Sequence, residues 1–283
     1  MIDPGAAGAG EHYVLATGEA GERRLHLLDE VYGPSTDRLL DELDVRPGMA
    51  VADIGCGVGV VAGWLGRRVG PSGSVVGVDF SEEQVALARR DAAAQGLGQV
   101  RFVVADAYDT GLPRGAFDLV CCRSLLSHLR QPADALREMS ALLKDGGVLV
   151  AEDLDMTVVA SDPPTDAYVR VAESLRVICR HVGSDPAMGA DVEKLFREAG
   201  HGDAQVHVDR PVDSRGERKR LWEYTFLELV PVYLEAELMT GPEVADLARE
   251  LARVSADDSV AVLHAPKYQV WARRIGPSAV GPP

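Results

Sequence analysis

A chain of 283 residues that is 46% hydrophobic and 26% charged has ordinary globular usage, which excludes disorder throughout and allows one large domain or one domain with a sizeable insertion. Against 29 Lys+Arg stand 44 Asp+Glu, a formal charge of −15, which argues against wrapping nucleic acid or lying on an anionic membrane, since both need a strong positive face. No apolar run approaches the ~20 residues of a membrane span, the start MIDPGAAGAGEH lacks the basic and apolar stretches of a signal peptide, and Cys56, Cys121, Cys122 and Cys179 have neither metal-ligand nor disulfide spacing. The expectation is a reduced, cytoplasmic protein without a metal.

Residues 1–10 and the C-terminal GPSAVGPP are Gly/Ala/Pro-rich and read as frayed ends. From 20 to 43 the apolar spacing is helical, with a break predicted at Gly33-Pro34. From 49 to 154 the period changes. Strands are predicted at 49–55, 74–80, 100–107, 117–123 and 147–154, separated by helices at 58–69, 81–95 and 132–144. Ser81 followed by Glu82 and Glu83 is a good helix start, because carboxylates suit the positive end of the helix dipole. Near-continuous apolar strands alternating with helices indicate a doubly wound, mostly parallel α/β sheet covered on both faces. Such a sheet binds its ligand outside the carboxyl ends of its strands. Beyond 155, helical stripes run through Val171, Leu175, Ile178 and Val182 and through Val192, Leu195, Phe196 and Ala199. A strand follows at 204–212, then helices at 217–239, with Pro231 expected to kink or break it, and at 242–255, and a last strand at 267–274. The expected organisation is an N-terminal helical lid (1–45), a ligand-binding core (46–155), a cover helix (156–185), a core helix and strand (186–212), further cover helices (213–258) and a final core strand (259–276).

The first strand ends in Asp53-Ile54-Gly55-Cys56-Gly57-Val58-Gly59 and opens a helix. Glycines there let the backbone turn tightly and approach a ligand. The spacing is G-x-G-x-G, Val60 stands where a dinucleotide fold wants glycine, and no P-loop Lys-Ser/Thr follows. A carboxylate two residues ahead of the first glycine suits a cationic group better than a pyrophosphate. Asp79 ends the second strand, where a carboxylate can accept both hydroxyls of a ribose, and Asp106 ends the third, where it could accept from an exocyclic amine. Any one of these acids is as readily a helix cap; three at successive strand ends argue for a site.

With VADIGCGVG, VVGVDFSEEQVALAR, VVADAYDTGLP, FDLVCCRSLLSHL and LLKDGGVLVAED, residues 45–155 resemble the class I S-adenosylmethionine-dependent methyltransferases, specifically the small-molecule group related to the ubiquinone/menaquinone methyltransferases. The tail follows the family's last helix and its sixth and seventh strands more loosely. The resemblance implies a seven-stranded Rossmann-like fold and S-adenosyl-L-methionine as cofactor. It places Asp53, Gly55, Cys56, Gly57 and Gly59 at the methionine end, Asp79 at the ribose, Phe80 and Gln84 beside the adenine, Asp106 and Ala107 at the adenine edge, Arg123 and Ser124 on the methionine side, and Tyr13 as an aromatic closing over the cofactor.

Methyl transfer from a sulfonium is an in-line displacement in which the cofactor carries the hard chemistry. The protein aligns nucleophile, methyl and sulfur, and a base matters only for an unactivated acceptor. His128, in SLLSH after the fourth strand, is the base candidate; the alternative is a helix cap or a packing residue. Glu152, Asp153 and Asp155 follow the fifth strand, and one of them could orient substrate. The other histidines (12, 26, 181, 201, 207 and 264) are assigned to surface or structural places, and Cys121-Cys122 to packing. Tyr168, Trp222, Tyr224, Phe226 and Tyr233 in the cover helices read either as a substrate pocket or as ordinary packing. Cys-Cys-Arg-Ser stands where enzymes acting on planar amino groups carry [Asp/Asn]-Pro-Pro-aromatic; Asp162-Pro163-Pro164-Thr165 lacks the aromatic and reads as a turn. The expected substrate is a small organic molecule, a specialised metabolite on the evidence of an Ala/Gly/Val/Arg-rich, GC-rich-bacterial composition, methylated on O, N or C. A non-methylating reaction such as cyclisation on the same fold stays open, as does a homodimer. A nicotinamide oxidoreductase is disfavoured by Val60 and the missing second mononucleotide half, and a non-catalytic binding protein would not need so complete a cofactor site.

Overall fold

The computed structural model describes residues 18–274. A long helix, α1 (Gly18–Glu42), leads into β1 (Ala50–Ile54), α2 (Val60–Val69), β2 (Ser74–Asp79), α3 (Glu82–Ala94), β3 (Val100–Val104), β4 (Phe117–Arg123), a 3-10 turn at Leu126–His128, α4 (Pro132–Leu142) and β5 (Leu143–Leu154). Then come β6 (Ala160–Asp162), α5 (Asp166–Val182), α6 (Met188–Glu198), β7 (Gln205–Asp209), β8 (Val212–Asp213), α7 (Leu221–Glu235), α8 (Gly241–Ala256), β9 (Ala261–Leu263) and β10 (Lys267–Arg273). Among the described residues no helix is long and apolar enough to cross a membrane.

Seven strands form one sheet in the order β3-β2-β1-β4-β5-β10-β7. The neighbours from β3 to β5 are parallel, and β10 runs antiparallel to both β5 and β7. The chain winds outward from β1 to β3, then returns to the other side of β1 at β4. That reversal opens a crevice at the carboxyl ends of β1 and β4, where a doubly wound sheet takes its ligand. Register brings Asp53 level with Cys121, and Arg123 level with Glu152, so the acids and Arg123 gather at one end of the sheet. Two apolar clusters sandwich the sheet, one including Leu136, Met139 and Phe196, the other Leu65, Val85 and Phe102.

A third cluster, including Tyr32, Tyr168, Trp222, Phe226 and Tyr233, belongs to the cover, built from α1, α5, α7 and α8. A small antiparallel sheet, β6-β9-β8, ties the chain before α5, the chain before α7 and the chain after α8 together; sequence reading missed it because its strands are two or three residues long.

The break expected at Gly33-Pro34 is corrected, and of the kink or break expected at Pro231, the break is corrected. Helix α1 runs through Pro34 and α7 through Pro231. An interior proline costs about 3 kcal/mol, and contacts on both sides of each offset it. The Tyr32 hydroxyl donates to Ala265 O at 2.9 Å, and Lys267 Nζ donates to Tyr32 O at 2.9 Å and to Thr36 Oγ1 at 2.6 Å. Around Pro231, Leu229 and Tyr233 are fully packed.

The same lysine pins α1 to the sheet. Lys267 Nζ lies 3.1 Å from Glu152 Oε1, both side chains being almost wholly buried. Glu152 Oε2 takes the Thr36 hydroxyl at 2.6 Å, and Gln269 donates to Oε1. Burial pulls the Lys267 ammonium down to about 8, with Glu152 opposing. Removing one partner of such a pair strands the other charge in the interior, so Lys267→Met should cost about 3–5 kcal/mol in chemical denaturation. The Lys267→Met/Glu152→Gln double variant should recover most of that; additive losses would show that the pair is not the source.

Candidate active site

The glycine loop is built by backbone constraint. Gly55, Gly57 and Gly59 all have positive φ, between 53° and 82°, a region L side chains rarely adopt. A Cβ on Gly55 would lie 2.8 Å from Leu125 Cδ1, whereas one on Gly57 would enter open space in the cavity. Gly59 is the N-cap of α2, and its missing Cβ makes room for Ala88 and Phe102, each 2.9 Å from where it would stand. Gly59 therefore shapes the loop from behind and does not line the cavity, a correction to its expected contact with ligand.

Asp53, the penultimate residue of β1, has 1% of its surface exposed. Its Oδ1 receives only a weak contact from the Cys121 thiol at 3.9 Å, and its Oδ2 is buried with no hydrogen-bond partner among the described residues. Burial pushes its carboxyl up to about 7, with the Asp79 charge adding to the rise and Arg123, the Ala62 backbone N–H and the Cys121 thiol pulling against it. A buried carboxylate left unpaired costs several kcal/mol unless a cation arrives. Asp79, at the end of β2, takes Gly57 N–H at 2.8 Å on one oxygen and Ser81 N–H at 3.0 Å on the other. Burial raises its pKa, and those two donors work against the rise. Asp79 thus braces the loop and faces the cavity at once, while Ser81 caps α3 by accepting from Gln84 N. Gln84 is buried with its Oε1 unpartnered among the described residues, and Phe80 is 45% exposed on the cavity rim, a flat face for a planar ring.

The structure brings Asp53, Gly55, Cys56, Gly57, Asp79, Phe80, Gln84, Ala107, Arg123, Ser124 and His128 around one cavity. Asp106 is not part of that wall. Its carboxylate caps the turn after β3, accepting Tyr108 N–H at 2.9 Å, because the chain bends there to present Ala107 instead. Cys56 is buried, and burial drives its thiol well above the ordinary range. Arg123 donates to Asp29 Oδ1 at 2.7 Å, locking β4 to α1, and Ser124, at φ 54°, donates its N–H to Glu152 O at 2.7 Å. Tyr13 and His12 lie outside the described residues.

Of the three acids expected after the fifth strand, Glu152 and Asp153 lie within the end of β5 and Asp155 just beyond it, and only Asp153 lines the cavity. Its Oδ2 accepts Ser127 N–H at 3.1 Å, clamping the turn that carries His128, and burial raises it to about 6 against the pull of the Leu154 and Ser127 donors. Glu152 is consumed by Lys267, and Asp155 caps Thr157 N–H at 2.9 Å, so neither is placed to orient substrate. Of the cover aromatics only Trp222 reaches the cavity; Tyr168, Phe226 and Tyr233 pack within the cover, and Tyr224 stacks under Arg220 at 4.7 Å. Sequence reasoning missed Arg24, Leu28, Met156 and Thr225, which carry no local motif.

Residues 51–147 match the family model of a methyltransferase domain. Over that stretch the chain is similar to the S-adenosylmethionine-dependent methyltransferases. It is 40% identical to the nocamycin O-methyltransferase of Saccharothrix syringae over 122 residues, 42% of this chain and 43% of that protein. The chain spans less than half the length of the curated relatives it matches. The fold is also that of the YcgJ protein of Bacillus subtilis (TM-score 0.57, 17% identity, 87% of this chain and 100% of that one) and of the [4+2]-cyclase SpnF (TM-score 0.50, 20% identity, 93% and 98%).

The residues of the methyltransferase domain fit its cofactor. The unpartnered Asp53 oxygen and the open space over Gly57 suit an ammonium-bearing chain, and Asp79, Phe80 and Gln84 suit a ribose and a planar base. Asp79→Ala should weaken S-adenosylhomocysteine binding by about 1.5–3 kcal/mol, the worth of hydrogen bonds to a charged group. Calorimetry checks this; a variant that binds normally but melts early would leave Asp79 as a loop brace alone.

Proposed function

We propose that this protein is a methyltransferase that uses S-adenosyl-L-methionine to methylate a small organic molecule on O, N or C. The observation that carries the reading is the buried Asp53 carboxylate, one oxygen of which has no partner among the described residues, above a glycine loop with Asp79, Phe80 and Gln84 beside it. The cofactor, when bound, supplies a sulfonium-activated methyl group. Asp53 and the glycine loop hold its amino-acid end, and Asp79 and Gln84 its nucleoside end. The cover helices exclude water from the crevice, and alignment of acceptor and methyl supplies most of the rate. His128 receives the proton of an unactivated acceptor. The charge of −15 favours a small molecule over nucleic acid, and the likeness to an antibiotic O-methyltransferase supports a specialised metabolite. Four free, buried cysteines support a reducing compartment, the cytoplasm.

A second reading keeps the cofactor site but transfers no methyl, as in a cyclisation; the likeness to SpnF over 93% of this chain favours it. Purified protein should bind S-adenosylhomocysteine and not NAD, and incubation with S-adenosylmethionine and a metabolite extract of the source cells should yield a product about 14 Da heavier, one methylene's worth. Tight NAD binding without adenosyl binding would sink both readings. Adenosyl binding with an isomeric product of unchanged mass would favour the second.

A further inference from the structure

The sheet order divides the cavity. The ends of β1, β2 and β3 carry most of the cofactor residues; over β4 and β5 the His128 turn and Asp153 form the floor, and the facing wall is made by α1, α7 and the segment after β5, with Arg24, Leu25, Leu28, Met156, Trp222 and Thr225. The polar groups that α1 and α7 bring to this wall are bonded within the protein. Arg24 Nε donates to Glu228 Oε2 at 2.8 Å, and the Thr225 hydroxyl donates to Leu221 O at 2.8 Å. The indole of Trp222, 2% exposed, donates its N–H to His264 Nδ1 at 3.1 Å.

That last bond belongs to a chain. With Nδ1 accepting, the neutral imidazole carries its proton on Nε2 and donates it to Asp213 Oδ2 at 3.0 Å. Arg218 Nε donates to the same oxygen at 3.0 Å. The imidazole is fully buried, and burial lowers its pKa, which keeps it in the neutral form the chain requires. Its backbone is held too: His264 N–H donates to Pro211 O at 3.0 Å, and Arg210 Nε donates to His264 O at 3.1 Å. The pairing of β8 with β9, Val212 opposite Leu263, sets Asp213 beside His264. The indole is thus fixed, with its one polar atom already bonded.

We propose that the acceptor is an apolar, ring-bearing molecule packed against Trp222, and that His264 and Asp213 are positioning residues that hold this indole. The inference rests on the methyltransferase reading, which assigns the other half of the cavity to the cofactor. Against the α1 and α7 wall, away from the His128 turn, a polar acceptor body would leave its hydrogen-bonding groups unpaired, whereas an aromatic one gains both buried area and ring contact.

The test uses the full chain loaded with S-adenosylhomocysteine, with 2-naphthol as the probe and D-glucose as the polar control. Naphthol should bind by calorimetry and glucose should not. Trp222→Ala should weaken naphthol binding about tenfold or more, and Trp222→Phe, which keeps an apolar ring, only about threefold. S-adenosylhomocysteine affinity should be unchanged in both. In protein labelled with 5-fluorotryptophan, the Trp222 fluorine resonance, assigned by its loss in Trp222→Phe, should be single and should shift on naphthol addition. In His264→Ala it should broaden or split, with naphthol affinity lowered while S-adenosylhomocysteine still binds. A Trp222 resonance that naphthol does not move, equal binding of naphthol by Trp222→Ala, or glucose binding as well as naphthol overturns the proposal. Loss of S-adenosylhomocysteine binding by the unsubstituted protein is a different failure, and it removes the methyltransferase reading itself.

Discussion

Replacing Asp53 by Asn should stabilise the ligand-free protein and cripple its cofactor binding. The two effects have one cause. Asp53 is buried with an unpartnered oxygen, and burial holds its carboxyl at about 7. Its folded pKa lies above the unfolded value, so the folded state keeps the proton longer. The stability present below the ordinary carboxylate range is lost as pH rises from about 4 through about 7. At about 1.4 kcal/mol per pH unit the loss is on the order of 4 kcal/mol above neutrality. Asparagine carries no charge to desolvate, so Asp53→Asn should melt about 5 °C or more above the unsubstituted protein at pH 8, with the gap closing toward pH 4. A cationic ligand repays the same buried charge, so the variant should lose about 10²-fold in S-adenosylhomocysteine affinity, the upper part of the range for a charge-assisted bond. Below about pH 7 the proton competes with the ligand, and the dissociation constant should rise about tenfold per unit of acidification. Calorimetry between pH 5.5 and 8 measures this. PH-independent binding, or an Asn variant that binds normally, would contradict the assignment.

The glycine loop and the acids at the ends of β1 and β2 were legible in the sequence because their constraints are local. Positive φ demands glycine at 55, 57 and 59, and a strand that ends in Asp delivers the carboxylate to the carboxyl edge whatever else the chain does. Asp106 followed the same pattern, yet the bend after β3 turned its carboxylate into a cap. Glu152 and Asp153 were indistinguishable in sequence because neighbours on a strand point to opposite faces. One meets Lys267 under α1 and the other meets the His128 turn, and only the packing of α1 decides which. The contact of Trp222 with His264 joins positions 42 residues apart through strands too short to show a period. Pro34 was read as a break and Pro231 as a kink or break because local propensity carries no information about the contacts that hold a helix together through a proline.

Of the residues at the acceptor end, His128 should show the largest kinetic effect. It sits on the 3-10 turn after β4, lines the cavity, and is held from several sides. His128 N–H donates to Leu125 O at 3.0 Å, Ser127 N–H reaches Asp153, and Ser127 O takes Asp185 N–H at 3.2 Å. A turn so clamped presents the imidazole without reorganisation, which is what a base in an in-line displacement needs. His128→Gln should lower turnover on an unactivated hydroxyl acceptor by about 10²–10⁴-fold, with S-adenosylhomocysteine affinity nearly unchanged. The loss should shrink for acceptors already ionised at the assay pH, because they have no proton to give. Asp153→Asn tests the clamp, since Asn Oδ1 can still accept Ser127 N–H while the charge is gone. It should cost about tenfold or less if Asp153 only holds the turn, and as much as His128→Gln if its carboxylate takes part in the proton transfer. Turnover across pH and across acceptors of graded acidity separates the cases. If His128→Gln kept near-normal rates on an unactivated hydroxyl, the base role would pass to Asp153, since Glu152 is committed to Lys267 and Asp155 to its own turn.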